Sequence, residues 1–157
     1  MNNEYINFGC RLNIYESELI KLATSKAGLT DSIIFNSCSV TKEAERQLRQ
    51  SIRKKKKQNP TKRIIVTGCA AQINSDFYQK MSEVDYVMGN LEKVDSDAFK
   101  LVREDIKTNL VKDIFSRSEI QREVVTNFDK KCRAYIEVQN GCDHRCTYCV
   151  IPYARGN

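Results

Sequence analysis

The sequence predicts an α/β protein built around a parallel β-sheet. Short apolar runs alternate with segments of helical periodicity through the first hundred residues. One of these runs, residues 63–66, is nearly continuous in isoleucine and valine, as is typical of strands buried on both faces of a parallel sheet. Alternating strands and helices favour parallel pairing, because each helix returns the chain to the starting edge of the sheet.

The first strand is predicted at residues 5–8 and the second at residues 32–35. Between them, Asn13 is expected to cap a helix, with Glu16 three residues later reaching back to the same turn. Apolar side chains then recur at helical spacing. Gly28 is expected to end the helix, since glycine readily adopts the left-handed conformation found at helix ends.

A long second helix is predicted after Thr41, whose side chain is expected to cap it. Glu43 and Glu45 lie in its first turn and Lys54 to Lys57 in its last. Both ends therefore carry the charges that the helix dipole favours. Pro60 follows the last turn and cannot continue a helix.

The remaining elements of the first domain follow the same alternation. A third strand is predicted at residues 63–66 and a fourth at 84–88, with helices at 70–80 and 91–104. These elements place one α/β domain at residues 1–106.

The pattern changes after this domain. Residues 107–131 have mixed charges and no clear period, which indicates a linker with a short helix or strand of its own. Apolar and polar side chains then alternate over residues 134–139, which predicts a new strand that runs into Cys142. We therefore place the start of a second domain at residues 132–157.

Composition and charge limit the class of protein. The chain has 157 residues, 41% of them hydrophobic, and a mean hydropathy of −0.53. No apolar run approaches the roughly 20 residues needed to span a bilayer, and the first residues lack the basic and apolar stretches of a signal peptide. We therefore expect a cytoplasmic protein, and we expect it to be a monomer. Its net charge of +6 suits a nucleic-acid partner.

Three of the seven cysteines follow predicted strands. Cys10, Cys38 and Cys69 come after the first, second and third strands, where each strand passes to its helix. Ligands of open α/β sheets gather at the carboxyl ends of the strands, so these thiols are expected to converge on one edge. In a reducing cytoplasm cysteines serve as metal ligands more often than as disulfides. The alternative is three unrelated cysteines, each buried as a small apolar residue.

A second group of thiols lies close together in sequence. Cys142, Cys146 and Cys149 have the spacing C-x3-C-x2-C. Three such thiolates can hold one soft metal centre, and three ligands on a four-iron cluster leave one iron open for a small molecule. A zinc site with His144 as its fourth ligand is the alternative. Cys132 falls in neither group and is expected to be inert.

The segments around these cysteines resemble those of the radical S-adenosylmethionine methylthiotransferase family. The C-x3-C-x2-C motif carries an aromatic residue, Tyr148, directly before its last thiol and continues as VIPYARGN. Three upstream segments agree with the same family: GCRLNIYES at residues 9–17, NSCSVT at 36–41 and VTGCA at 66–70. The similarity runs over residues 8–157 and includes six of the seven cysteines in the family's order.

The resemblance implies a Rossmann- or flavodoxin-like methylthiotransferase domain, followed by the first strand and cluster loop of a radical-SAM (β/α) barrel. Family members continue through the barrel and an RNA-binding β-domain, so we expect this chain to be an inactive N-terminal fragment. The implied cofactors are two 4Fe–4S clusters and S-adenosylmethionine, with Tyr148 beside the adenine. The implied cluster ligands are two sets of three thiols: Cys10, Cys38 and Cys69, and Cys142, Cys146 and Cys149.

The resemblance also implies the reaction. S-adenosylmethionine would be split into a 5′-deoxyadenosyl radical that takes a hydrogen atom from the substrate, and a methylthio group would then be transferred from the first cluster. The sequences QNGC at residues 139–142 and PYARGN at 152–157 are most similar to enzymes that modify C2 of threonylcarbamoyladenosine at position 37 of tRNA. The implied partners are tRNA, an electron donor and a source of sulfur.

Other functions remain alternatives. Isopentenyladenosine-37 in tRNA is the alternative substrate, and a non-catalytic metal- or RNA-binding module is the alternative class. A flavodoxin-like redox domain fits less well, because no phosphate-binding loop for a flavin follows the first strand. The basic residues 53–57 either contact phosphate or form a solvated helix end.

Overall fold

The computed structural model of the protein describes residues 2–116, 125 and 133–157. A four-stranded parallel sheet with strand order β1-β2-β3-β4 forms its centre, as the sequence predicts. Each observed strand overlaps a predicted one, and the fourth is shorter than predicted. The strands are β1 (Glu4–Asn7), β2 (Ser32–Ser37), β3 (Arg63–Gly68) and β4 (Tyr86–Val87).

Helices in the described residues surround this sheet. They are α1 (Arg11–Ala27), α2 (Lys42–Gln58), α3 (Cys69–Ile73), α4 (Ser75–Gln79), α5 (Ser96–Arg103), α6 (Ile151–Arg155) and a 3-10 helix at Glu92–Val94. The predicted helix at 70–80 is two helices, since the chain leaves helical geometry at Asn74, with φ of −119° and ψ of 43°. The predicted helix at 91–104 is also divided, because Asp95 caps α5 by accepting a hydrogen bond from the Asp97 amide at 2.9 Å.

Helices cover both faces of the sheet. Successive residues of a strand point to opposite faces, so Ile34 and Phe35 of β2 belong to two separate cores. α1 and α5 pack on the Ile34 face through apolar residues such as Ile20 and Phe99. α2 packs on the Phe35 face. With both faces covered, the loops at the ends of the strands are the parts left to carry function.

α1 begins earlier than predicted, and the expected Asn13 cap is wrong. Cys10 holds the N-cap position in extended geometry, and Asn13 is buried in the first turn. The Asn13 side-chain amide donates to the carbonyl of Ser37 at 3.1 Å, across the end of the sheet. Glu16 is buried as well, so tertiary contacts take both side chains away from the helix end. The expected end at Gly28 is confirmed, with a left-handed φ of +66°.

The predicted cap of α2 is confirmed. Thr41 Oγ1 accepts a hydrogen bond from the Ala44 amide at 3.1 Å. Leu48 and Ile52 are the buried residues of this helix and form the apolar stripe by which it packs on the sheet. The remaining positions of α2 are free to carry the many charges that the sequence places there.

The predicted strand at residues 134–139 is wrong. The structure describes these residues and assigns no strand within 133–157. Ile136 and Val138 are 86% and 93% exposed. A strand is stabilised by hydrogen bonds to a neighbouring strand, and the described part of the chain places none beside this segment. The alternation in the sequence therefore indicates a segment with strand character that has no paired neighbour among the residues described.

The first part of the predicted linker packs on the sheet. Leu110 forms an isolated parallel bridge with Met88, and both side chains are buried. Ile114 is buried too. The division at residues 106 and 131 remains a prediction, since most of 117–132 lies outside the described residues. In the described ranges we find no helix with both the length and the apolar character to cross a membrane.

Candidate metal centre

Two cysteines lie side by side at the carboxyl edge of the sheet. Ser37, the last residue of β2, pairs with Gly68, the last residue of β3. Cys38 and Cys69 directly follow these two residues, on strands that lie about 4.8 Å apart. Both cysteines are buried. The register of the sheet therefore brings these two thiols to neighbouring positions at one edge.

Cys10 lies at the same edge, after β1. The pairing of β1 with β2 continues one step beyond the strand, where the Phe8 amide donates to the Asn36 carbonyl at 2.9 Å. Cys10 follows two residues later, at the N-cap of α1, and is exposed. Its thiol donates to Asn13 Oδ1 at 3.2 Å. All three cysteines of the first predicted set thus follow the carboxyl ends of adjacent strands, although binding of a metal by them remains a prediction.

Two buried asparagines join the loops that carry these cysteines. Asn36 Nδ2 donates to the Asn13 carbonyl at 2.9 Å, and Asn13 Nδ2 donates to Asn36 Oδ1 at 3.3 Å and to the Ser37 carbonyl at 3.1 Å. Buried amides that are fully bonded in this way hold a single geometry. Sequence reasoning assigned Asn13 to the helix cap and missed this role. The signal that was available is the presence of both asparagines in the segments that carry the family resemblance.

A glycine permits the close approach of β2 and β3 beneath the thiols. Gly68 has a φ of +95°, which side chains rarely adopt. A Cβ atom at this position would lie 2.5 Å from the Ser37 backbone nitrogen and closer still to its oxygen. Gly9 has a similar role beside Cys10, where an added Cβ would lie 2.6 Å from the Asn13 side chain. Both glycines directly precede cysteines, as the sequence indicates.

A cluster of buried charges lies behind this edge. The Glu16 carboxylate accepts two hydrogen bonds from the Arg155 guanidinium, at 2.8 Å and 3.2 Å. Lys93 Nζ lies 2.6 Å from Glu16 Oε2. The exposed fractions of Glu16 and Lys93 are 0%, and that of Arg155 is 7%. We call these three residues the buried charge cluster. This cluster could not be predicted from the sequence, because Arg155 and Glu16 are 139 residues apart.

Burial and pairing oppose each other in the pKa values of this cluster. Burial would raise the pKa of Glu16, but the charges and hydrogen bonds of Lys93 and Arg155 outweigh burial and lower the pKa to about 2. Burial lowers the pKa of Lys93, and Glu16 opposes that shift. For Arg155 the Glu16 carboxylate outweighs burial and raises the pKa, with smaller contributions from Cys69 and Cys10. The Arg155 guanidinium thus lies near enough to two of the predicted ligands, Cys69 and Cys10, for their charge to affect its pKa.

Asn90 connects the buried charge cluster to the cysteine edge. Its side-chain amide donates to Cys69 Sγ at 3.8 Å and to the Ala154 carbonyl at 2.6 Å. Its side-chain oxygen accepts from Lys93 Nζ at 2.6 Å. Arg155 also donates to Asn140 Oδ1 at 3.0 Å. These bonds hold the segment around the second cysteine group against the start of α3, where Cys69 lies.

The second cysteine group forms a loop that folds back on α6. The Cys142 amide donates to the Gly156 carbonyl, and the Cys149 amide donates to the Cys146 carbonyl, each at 3.0 Å. Cys146 is exposed, and the other two thiols are half-buried. This geometry places three thiols on one short, accessible loop.

The predicted zinc alternative has only partial support in this loop. Ligand atoms of Cys142, Asp143 and His144 lie within 4.8 Å of one another, and elsewhere in the described ranges no comparable set of three comes that close. Cys146 and Cys149 are outside this set. His144 is exposed and contacts Asp143 at 3.1 Å. The structure therefore does not gather the three cysteines and His144 into one tetrahedral site.

Two further predicted residues differ in how far the structure describes them. Tyr148 is 91% exposed, which excludes a role in packing the core. Its place beside an adenine remains a prediction. Cys132 lies outside the described residues.

Some of the basic residues near the end of α2 form ion pairs with acidic side chains, and others are exposed. Lys55 pairs with Glu4, and Lys56 Nζ lies 2.9 Å from Asp85 Oδ2. These two lysines therefore connect α2 to β1 and to the residue before β4. Lys54 and Lys57, by contrast, are exposed.

The chain is similar to curated proteins that modify tRNA. Over 156 residues it is 53% identical to the threonylcarbamoyladenosine tRNA methylthiotransferase MtaB of Rickettsia prowazekii, covering 99% of this chain and 36% of the relative. It is 34% identical to the protein of the same name from Aquifex aeolicus, covering 99% of this chain and 40% of the relative. It is 31% identical to the tRNA-2-methylthio-N(6)-dimethylallyladenosine synthase of Finegoldia magna, covering 96% of this chain and 36% of the relative. The chain spans little more than a third of the length of these relatives.

The sheet domain also matches a described family. Residues 3–89, more than half of the chain, match the family described as uncharacterized protein family UPF0004. The matched range contains all four strands and the three cysteines that follow β1, β2 and β3. The chain therefore belongs to uncharacterized protein family UPF0004.

Proposed function

We propose that this protein serves in the methylthiolation of tRNA, by adding a methylthio group to C2 of threonylcarbamoyladenosine at position 37. The observation that carries the proposal is the placement of three thiols at one sheet edge, with a second group of three held against it by α6. The relatives' names support the substrate, because the 53% identical relative is named for threonylcarbamoyladenosine and the 31% identical one for dimethylallyladenosine.

The residues at the sheet edge fit an iron–sulfur centre. Three thiols and no carboxylate form a soft donor set, which selects zinc or iron–sulfur clusters over calcium or magnesium. The excess of buried cations beside the thiols suits an anionic centre. We propose that Cys10, Cys38 and Cys69 hold one 4Fe–4S cluster. The loop thiols of the second group would hold the other: Cys142, Cys146 and Cys149.

The loop thiols and Tyr148 define the proposed site of S-adenosylmethionine. When bound, the cluster and S-adenosylmethionine together supply a 5′-deoxyadenosyl radical, which is the chemistry that reaches an unactivated C–H bond. In this proposal the exposed ring of Tyr148 lies beside the adenine. Asn90 orients Cys69 by donating to its sulfur, and it fixes α6 through the Ala154 carbonyl. The role of these residues is to position the two groups of thiols relative to each other.

We propose that residues 132–157 are the start of a radical-SAM barrel. We expect the 157-residue chain alone to bind its clusters and to lack turnover of tRNA. The whole protein would act in the cytoplasm as a monomer, with an electron donor and a source of sulfur as partners.

Metal content after anaerobic reconstitution tests the proposed clusters. We expect about eight irons per chain, and about four in a variant with alanine at each of the three cysteines of the sheet edge. A variant with alanine at the three loop cysteines should also retain about four. Cys132→Ala serves as the matched control and should keep all eight, because Cys132 belongs to neither group. Iron and sulfide are measured on the same samples.

Other metal contents would contradict the proposal in distinct ways. Zinc in the parent would favour the metal-binding module in place of the radical enzyme. Iron unchanged by loss of the sheet-edge thiols would remove Cys10, Cys38 and Cys69 as ligands.

The exposed lysines of α2 are proposed to contact tRNA phosphate. Replacing Lys54 and Lys57 with serine should weaken tRNA binding and flatten its salt dependence by a slope of about 1 to 2, as expected for the loss of one or two phosphate contacts. Lys55 and Lys56 are left in place, because they pair with acidic side chains of the domain. Fluorescence anisotropy over a series of salt concentrations gives the slope.

The control for this prediction lies on the same helix. Lys42 is exposed at the other end of α2, and Lys42→Ser should leave the slope unchanged. An unchanged slope in the Lys54 and Lys57 variant would assign these lysines to solubility alone.

A further inference from the structure

The buried charge cluster has more positive than negative charge. It contains two basic groups, Lys93 and Arg155, and one anion, Glu16, all of them buried. Burial lowers the pKa of Lys93, but its Nζ lies 2.6 Å from an oxygen of Glu16 and 2.6 Å from the side-chain oxygen of Asn90, which favours the cationic form. The neighbouring Glu92 does not complete the balance within this cluster, because its carboxyl lies beside Gly89, burial raises its pKa, and Lys112 is the cation that opposes this shift. An uncompensated buried charge is costly, so a protein that retains one normally supplies a partner of opposite sign.

The observations place the negative partner of this excess charge on the side of the thiols. Ionised thiols at Cys69 and Cys10 would raise the pKa of the Arg155 guanidinium, and one at Cys69 would also raise that of Lys93. A chain of hydrogen bonds runs the same way, from Lys93 Nζ to Asn90 Oδ1 at 2.6 Å and from Asn90 Nδ2 to Cys69 Sγ at 3.8 Å. The excess positive charge therefore lies near the sheet edge, and hydrogen bonds through Asn90 connect it to Cys69.

We propose that Lys93 and Arg155 are positioning residues that compensate the negative charge of the centre held at the sheet edge, and that they thereby raise its reduction potential. This inference rests on the proposed function. A 4Fe–4S core of charge +2 with three thiolates carries a charge of −1, which equals and opposes the excess in the buried charge cluster. Reduction adds a further negative charge to the centre, so a fixed cation nearby favours the reduced form.

A purely structural role makes a different prediction. If the buried charge cluster only fastened α6 to α1, removing either a cation or the anion would loosen the fold. The reduction potential would then stay unchanged or shift in the same direction in both variants. Charge compensation requires opposite shifts. Loss of the Lys93 cation should lower the reduction potential, and loss of the Glu16 anion should raise it.

The experiment measures the potential of the sheet-edge centre by itself. The 157-residue chain carries alanine at the three loop cysteines, so that one centre titrates, and is reconstituted with iron and sulfide. Lys93→Met and Glu16→Gln are compared with this parent and with Lys55→Met, a control that removes a paired lysine from the opposite end of the sheet. Redox titration followed by the electron paramagnetic resonance of the reduced centre gives each potential. Circular dichroism of each chain without iron reports folding.

The expected result is a more negative potential for Lys93→Met, a more positive one for Glu16→Gln and no shift for Lys55→Met. Where Glu16→Gln does not fold, Lys93→Met against Lys55→Met decides the question alone. A centre that assembles with equal potentials in the parent and in Lys93→Met would overturn this inference and leave the proposed function intact. A parent chain that binds no iron would overturn both.

Discussion

Replacing Glu16 with alanine should lower the free energy of unfolding by about 3–5 kcal/mol, the usual cost of removing one partner from a buried ion pair. Lys93 and Arg155 would then be buried together with no anion between them. The low pKa of Glu16, about 2, has the same cause, because the two cations stabilise the charged carboxylate. Urea unfolding followed by circular dichroism measures the loss.

An exposed ion pair of similar geometry serves as the control. Glu43 contacts Arg46 at 2.7 Å on the surface of α2, and both side chains are about half exposed. Pairs of this kind contribute little to stability, so Glu43→Ala should change it far less than Glu16→Ala. Adding Lys93→Met to Glu16→Ala should recover part of the loss, since it removes one of the two unpaired cations. Equal losses for Glu16→Ala and Glu43→Ala would show that the buried pair adds no more to stability than the exposed one.

Replacing Gly68 with alanine should cost at least about 2 kcal/mol of stability. Two penalties combine at this position. The backbone has a φ of +95°, and the new Cβ would meet the Ser37 backbone rather than a side chain that could move aside. Because Cys38 and Cys69 follow the two strands that would be forced apart, the iron content of the reconstituted chain should fall as well.

Gly28→Ala separates these two penalties. Gly28 also has a left-handed φ, of +66°, but an added Cβ there would come no closer than 3.4 Å, to the flexible end of Arg103. Its substitution should cost about 1 kcal/mol from the backbone alone and should leave iron content unchanged. If Gly68→Ala were no more damaging than Gly28→Ala, the approach of β2 to β3 would be unimportant for the site.

The parts of the fold that depend on local sequence could be predicted. The strands follow from short apolar runs, and Thr41 caps α2 through a bond to the amide three residues later. The prediction failed where a distant contact decides the outcome. Asn13 is suited to capping, but it bonds across the sheet to Ser37 instead. Residues 134–139 have the alternation of a strand, but the described part of the chain places no strand beside them to pair with.

The candidate site divides in the same way. Placing Cys10, Cys38 and Cys69 at one edge needed only the order of strands and the rule that parallel strands end together. The buried charge cluster could not be predicted, since charged residues are mostly exposed and nothing near Glu16 in sequence marks its partners. The residues that match the family include Glu16 and Arg155, but matching letters do not reveal that the two side chains meet.

Glu16 and Arg155 are 139 residues apart, so the members of the buried charge cluster are synthesised at different times. Domains fold from the N-terminus while the ribosome is still at work, so Glu16 and Lys93 can pair long before Arg155 is made. At that stage the sheet domain closes over one anion and one cation, which balance. The guanidinium arrives after the second cysteine loop has been translated. The cation excess near the first group of thiols is thus acquired late in biosynthesis, after the second group has been translated.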